Sequence, residues 1–496
     1  MTRASSVAGF VLVVACAGAP LGACGSVAEP AASVPGDAAV PVCEAGACAQ
    51  TCAAMGGTLC GERCVDLASD HESCGRCDNA CAADAVCVQG ACTTSCPASL
   101  AACDGRCVDL GVDPHHCGAC ANDCGAAHVC AAGACTAYCP LAAARTLGPG
   151  NVSVAVGDVD GDGNADAVAI SSSPNAGASL DVYLGHGDGT FQALASQPLA
   201  YGSGVVQLAD LDRDGRLDAA LLSGSGNEAV SVYLNKGGGV FAHAGDYAAG
   251  VWSADLALGD LDGDGAPDAV VANSGGSQWD GSITGDDVAV LFNDGHGGLA
   301  RAQHMPAGLT PSSVAIADLD GDGAPDFLVT DQGDGTQGSG GQVFFGDGHG
   351  KFSGPQPLAL TTGGALGLAD LNGDSRPDVV VAGWDALLVV LNQGARRFGA
   401  PVPYAAPFYG GGLAEADMNG DGRVDLVVGG AGLGVLFNRG DGSFEVGAGC
   451  AYSEAGTGWA AASPRILRWG AGSPPAVVTV DDTQGGTDLA ALWQAQ

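Results

Sequence analysis

Asp158-Val159-Asp160-Gly161-Asp162-Gly163-Asn164-Ala165-Asp166 is the stretch whose reading decides the fold. It sets four carboxylates at positions 1, 3, 5 and 9 of nine residues. Side chains at 1, 3 and 5 point inward around a tight loop, and the glycine at position 6 relaxes the backbone where the chain must turn sharply. The pattern Asp-x-Asp/Asn-x-Asp-x-x-x-Asp recurs from Asp210, Asp260, Asp318, Asp370 and Asp417, at intervals of 52, 50, 58, 52 and 47 residues. A period of this size marks one supersecondary unit per copy.

Each copy repeats one grammar. A short run such as Ser153-Val154-Ala155-Val156 precedes the loop, and a β-branched run such as Asp378-Val379-Val380-Val381 follows it. A third strand comes next (Val182-Tyr183-Leu184, Val290-Leu291-Phe292), then a glycine-rich turn (Gly187-Asp188-Gly189, Gly440-Asp441-Gly442) and a more variable fourth stretch. Four short strands per repeat predict one blade of a β-propeller. The 83 glycines and few aromatics of the 496-residue chain agree with an all-β architecture rich in tight turns.

In these residues the chain closely resembles the FG-GAP/VCBS repeat family, which includes the propeller of integrin α chains. The resemblance covers roughly residues 140–496 and implies a calcium ion in each loop. Carried over loop by loop, the ligands are Asp158, Asp160, Asp162, Asn164 and Asp166; Asp210, Asp212, Asp214, Arg216 and Asp218; and Asp260, Asp262, Asp264, Ala266 and Asp268. The later loops supply Asp318, Asp320, Asp322, Ala324 and Asp326; Asp370, Asn372, Asp374, Arg376 and Asp378; and Asp417, Asn419, Asp421, Arg423 and Asp425. The seventh-position residue in each set gives its backbone carbonyl. The resemblance also implies loops on one face of the ring and ligands approaching the other.

The chemistry agrees with that implication. Calcium takes 6–8 oxygen ligands in flexible geometry, and magnesium suits such loops less. An EF-hand closes with Glu at position 12 between helices, whereas these flanks are strands. Loops five and six carry three carboxylates instead of four, and the fifth has Ser375 in place of glycine, so it is expected to be the weakest. The loops hold 22 of the 55 acidic residues, and six calcium ions would bring a net charge of −38 to about −26. Affinities of about 10⁻⁴–10⁻³ M, as in extracellular modules, are expected.

Residues 464–496 keep the strand pattern without the acidic loop, which is replaced by Gly472-Ser473-Pro474-Pro475. This predicts a seventh, degenerate blade that residues around Leu141–Leu147 complete. The fold expected is therefore a seven-bladed propeller over 139–496.

Before it come three segments. Residues 1–23 read as a lipoprotein-type signal, with Leu21-Gly22-Ala23-Cys24 as a lipobox whose cysteine carries the lipid. Residues 24–42 read as a flexible tether. Residues 43–138 hold cysteines at a 43-residue repeat: Cys60, Cys64, Cys74, Cys77, Cys81, Cys87, Cys92 and Cys96 recur from Cys103 to Cys139. In an exported chain this predicts a disulfide framework that offsets a small core. Zinc at Cys74-x-x-Cys77 and Cys117-x-x-Cys120, with His115 or His116, is the lesser alternative. Counting suggests Cys43 with Cys48, eight cysteines from Cys52 to Cys92, eight from Cys96 to Cys135, and a Cys139–Cys450 bridge.

No motif for nucleophilic, metallohydrolase or phosphate chemistry is present, so an enzyme is not expected. The acidic balance argues against nucleic acid as a partner. Membrane contact is expected only through a lipid on Cys24, and the partner is a protein or glycan ligand. Arg439-Gly440-Asp441 occupies an ordinary turn slot of the repeat. Loops that break the repeat draw more interest: an insertion from about Asn273 to Asp287 containing Trp279 and Asp280, and connections carrying Tyr201, Trp252, Tyr409 and Trp459. The reading is a surface-anchored binding or adhesion module; a lectin-like or polysaccharide-degrading propeller and a purely structural surface protein are its rivals.

Overall fold

A computed structural model of the chain is all-β and divides into two compact units at Tyr138/Cys139. It describes most of residues 58–493; residues 1–57 and stretches such as 139–142, 200–202, 278–282, 405–411, 453–464 and 469–474 lie outside the description. The signal, the tether, Cys43, Cys48, Cys52, Cys139, Tyr201, Trp279, Asp280, Tyr409 and Trp459 therefore fall outside it, as does the expected Cys139–Cys450 bridge.

Six antiparallel sheets follow one another over residues 151–198, 203–248, 253–306, 311–358, 364–404 and 413–452. In each, four strands run in sequence order from the inside outward, and the first blade adds Gln197–Pro198 as a fifth. These are the blades. The acidic loop joins first and second strands in all six. A further four-stranded sheet combines Arg465–Arg468, Pro475–Thr483 and Gly486–Trp493 with Ala143–Pro149. There Trp493 pairs with Ala143 and Asp488 with Pro149, so strands from the two ends of this unit share one sheet.

The core lies between blades, which explains the unbroken apolar runs. Strands Asp326–Asp331, Asp378–Gly383 and Leu433–Asn438 are buried at every residue, because neighbouring blades cover both faces. Val205, Leu222 and Val230 of blade two pack with Leu256, Val271 and Leu291 of blade three. Equivalent clusters join each of the other successive blade pairs. Outer strands such as Phe241–Ala248 are half-covered, with His243, Ala244, Asp246 and Ala248 exposed and the alternation broken at a bulge.

The insertion in the third repeat is strand rather than free loop for most of its length. Asp268–Ser277 and Ile283–Asn293 pair from Ala269↔Leu291 out to Ser277↔Ile283. Alternation is weak in Asn273-Ser274-Gly275-Gly276, so sequence reading could not separate a long hairpin from a loop.

The cysteine-rich unit is built of two-residue-spaced hairpins and disulfides. Cys60–Cys77, Cys74–Cys87 and Cys81–Cys92 lie in one copy, and Cys96–Cys107, Cys103–Cys120 and Cys124–Cys135 in the next. No bridge among the described residues crosses from the first set to the second, as the counting expected. Each copy brings two glycines together: a Cβ on Gly75 would lie 2.2 Å from the Gly90 carbonyl, and one on Gly118 2.4 Å from that of Gly133. Asn79 and Asn122 each donate to a cysteine carbonyl (Cys74 and Cys117) at 2.6 Å.

Candidate metal centre

The acidic loops fold as the Asp spacing dictates. In the first, Asp158 Oδ1 accepts the Gly161 amide at 2.7 Å and Asp158 Oδ2 accepts that of Gly163 at 2.8 Å. Asp160 Oδ1 accepts the Asp162 amide and Asp162 Oδ1 that of Asn164. Loops three, four and five repeat these bonds from Asp260, Asp318 and Asp370. The carboxylates are therefore oriented by the loop's own amides.

The ninth-position aspartate does two jobs. Asp166, Asp218, Asp268, Asp326, Asp378 and Asp425 are fully buried at the start of the second strand. One oxygen of each accepts the amide at position 2 of its loop: Val159, Leu211, Leu261, Leu319, Leu371 and Met418. The other accepts an amide from the end of the third strand: Gly185, Asn235, Asn293, Gly346, Asn392 and Asn438. One side chain thus ties loop to blade.

These residues also gather oxygens. Carboxylate oxygens of Asp158, Asp160 and Asp166 lie within 4.8 Å of one another, as do those of Asp210, Asp212 and Asp218 and of Asp260, Asp262 and Asp268. Burial first, with repulsion from neighbouring loop aspartates added, pushes Asp166, Asp218 and Asp378 up to about 6. The same causes push Asp268 and Asp326 up to about 7. Asp212 Oδ1 is buried without a hydrogen-bond partner. A hard, oxygen-only donor set with one orphaned oxygen fits a calcium-sized cation.

Two features escaped sequence reading. In loops two and five the seventh-position arginine turns its guanidinium onto the fifth-position carboxylate, Arg216 on Asp214 and Arg376 on Asp374. Arg423 lies 3.7 Å from Asp421. The second feature is an asparagine that laces blade to blade. Asn293 Nδ2 donates to the Leu211 carbonyl of the preceding loop at 2.9 Å and to its own Pro267 at 2.9 Å. Asn235, Asn392 and Asn438 do the same. Its signal was the recurrence of Asn-x-Gly after the third strand (Asn235-Lys236-Gly237, Asn293-Asp294-Gly295), where asparagine Oδ1 caps the glycine amide.

Arg439-Gly440-Asp441 forms the expected turn, with Arg439 3.3 Å from Glu445. The cysteines offered to zinc are oxidised: Cys74, Cys77, Cys117 and Cys120 are all in disulfides, leaving no thiolate. Trp252 is 59 % exposed. It adopts φ 57°, and its carbonyl is held by both the amide and the hydroxyl of Ser274.

The architecture defines a β-propeller whose blades carry acidic, cation-competent loops. Its repeats match the FG-GAP-like repeat over residues 158–221, 210–271 and 370–428, and the chain carries these FG-GAP-like repeats within a six-bladed β-propeller. Residues 89–138 match the stigma-specific STIG1-like protein family. No curated protein matches the chain. Among solved structures, an Agrocybe aegerita lectin described as recognising non-reducing terminal N-acetylglucosamine is 22% identical, covering 59% of this chain and 78% of its own, with a TM-score of 0.42. The BBS1 N-terminal domain, solved in complex with ARL6, is 13% identical, covering 72% and 97%, with a TM-score of 0.46. A Photorhabdus luminescens Tc holotoxin pore is 15% identical, covering 66% and 17%, at 0.33.

Proposed function

We propose that this chain is an exported, surface-anchored, calcium-braced binding module: a closed seven-bladed propeller preceded in sequence by disulfide-stapled repeats and tethered through a lipid on Cys24. The observation that carries it is the gathering of oriented carboxylates at one end of successive blades, three of them within 4.8 Å in loop after loop. Calcium would be held by the first, third, fifth and ninth residues and the seventh carbonyl, where it supplies positive charge that the buried aspartates lack. Its role is bracing, and the metal stabilises the ring by binding the folded form. The C-terminal sheet supports seven blades, because Arg465–Arg468 packs beside the inner strands of both blade six and blade one. Disulfides support an oxidising, extracytoplasmic setting.

Ligands would approach the opposite end, where second–third hairpins and blade-to-blade connections meet. Trp252 supports a glycan or protein partner there, since a large aromatic exposed on a rigid corner suits stacking on a sugar ring or an apolar side chain. The FG-GAP-like repeats support a non-catalytic binding fold, and the module is read as non-enzymatic.

Thermal unfolding of the full chain after chelation, with calcium titrated back, tests the reading. A large rise in melting temperature, reversed by chelator and poorly matched by magnesium, is expected. An unchanged curve with no calcium bound at millimolar concentration would refute it. Glycan-array binding lost on Trp252→Ala would favour the lectin form; hydrolysis of a polysaccharide would overturn the non-enzymatic reading.

A further inference from the structure

Resting on the reading of the loops as cation sites, we infer that arginine side chains grade them, so that the first loop takes the first calcium ion and the fifth takes its ion late. The grading comes from the guanidinium that each loop already holds.

Loop one holds four carboxylates, Asp158, Asp160, Asp162 and Asp166, and its seventh residue is the neutral Asn164, which donates to Asp162 Oδ2 at 2.9 Å. Among the described residues no guanidinium touches it; only His186 acts on Asp162 through space. Loops two, three and four also hold four carboxylates each, but each has one guanidinium bound. Arg216 sits on Asp214 within loop two. Arg213 of loop two crosses to Asp264 of loop three at 2.6 Å. Arg396, from the turn of blade five, reaches Asp320 of loop four at 2.6 Å. Loop five has only three carboxylates, and Arg376 covers one. Subtracting one charge for each arginine leaves four negative charges in loop one, three in loops two to four, and two in loop five.

These pairs are built in rather than incidental. Arg213 holds φ 60° at a position where loops one, three and four have glycine. A Cβ on Gly295 would come within 3.2 Å of the Arg213 guanidinium carbon, so the neighbouring turn leaves space for that group. Arg396 lies 4.3 Å above the Phe345 ring and donates to Ser353 Oγ at 3.3 Å, and its partner Asp320 is only 6 % exposed. A guanidinium on a ligand carboxylate occupies an acceptor oxygen and sets positive charge where a divalent cation must come. Both effects lower affinity, since calcium affinity in such loops is tuned by ligand charge count along with site rigidity.

The test is equilibrium dialysis of chelator-treated full-length protein against calcium, with bound metal measured by atomic emission. Wild type is expected to take one ion at a free calcium concentration about tenfold or more below that needed for the next. Asp162→Asn should abolish that first step and leave the later ones in place. Arg396→Gln should bring one later ion in at about tenfold lower calcium, while Arg396→Lys, which keeps the charge, should not. A single class of equal sites, or a first step that survives Asp162→Asn, overturns the grading and leaves the cation reading standing. No calcium bound by wild type at millimolar concentration overturns both.

Discussion

Asn235 Nδ2 donates to the carbonyl of Val159, 76 residues earlier in the chain, at 2.8 Å. The bond runs from the third strand of blade two to the acidic loop of blade one, and the same nitrogen also serves Leu217 at 3.0 Å. Asn235→Ala removes both bonds and leaves buried carbonyls unpaired. It should cost about 2–3 kcal/mol in a denaturant midpoint measurement. Asn235→Asp, which cannot donate, should fare no better. A loss below about 0.5 kcal/mol would mean the asparagine is incidental.

Trp252 combines a left-handed backbone with an exposed indole. For a bulky residue that conformation costs on the order of 1 kcal/mol, and an indole left 59 % exposed offsets little of it by burial. Trp252→Gly should therefore raise stability by about 0.5–1 kcal/mol while weakening whatever binding the indole provides. A destabilised glycine variant would show that the ring packs after all.

Three buried ionisable groups from distant blades act on one another: Asp255 on the first strand of blade three, Glu415 on that of blade six, and Arg465 in the C-terminal sheet. Asp255 Oδ2 accepts the Val314 amide of blade four at 2.8 Å, whereas Glu415 Oε1 has no partner, and a Cβ on Gly367 would lie 1.6 Å from it. Burial pushes Asp255 up to about 7, offset first by the Val314 amide and least by Arg465, and pushes Glu415 up to about 8, offset by Arg465. Burial also pulls Arg465 down to about 10, so it stays charged through this range. A carboxyl raised on folding favours the fold while protonated. Its contribution is complete below about pH 4 and is lost as pH rises through 7 and 8. Glu415→Gln should therefore gain on wild type between pH 5 and pH 8, read as the difference in melting temperature at each pH. A constant difference across that range would rule out titration of Glu415.

Cys81–Cys92 closes a segment with a sequence separation of 11. Replacing both with serine should cost the cysteine-rich unit about 2–4 kcal/mol. Peptide mapping without reduction should recover Cys60–Cys77 and Cys103–Cys120 as separate linked pairs. A peptide joining the two sets would contradict the pairing described above.

Much of the fold was legible because it depends on local pattern. Asp158 to Asp166 and its five relatives mark the hairpin between first and second strands. The unbroken Val379-Val380-Val381 announces a strand covered on both faces. The expectation that Leu141–Leu147 would complete the C-terminal sheet also matches the pairing seen for Ala143–Pro149. What escaped depends on partners far away in sequence. Nothing local distinguishes Arg216, which folds back on Asp214, from Arg213, which crosses to Asp264. The ninth aspartate was read as a metal ligand, and its second task of binding two amides appears only when loop and third strand are seen together.

The sheet that unites Ala143–Pro149 with Gly486–Trp493 has a consequence for how the chain is made. During synthesis the earlier strand emerges well over three hundred residues before its partner. Until Gly486–Trp493 has left the ribosome, the Ala143–Pro149 edge lacks this partner and carries an open backbone ladder ready to meet any other extended chain. A chain cut before Gly486 would keep all six acidic loops and leave that edge without its partner. One late strand therefore governs whether the early one is left as an exposed edge.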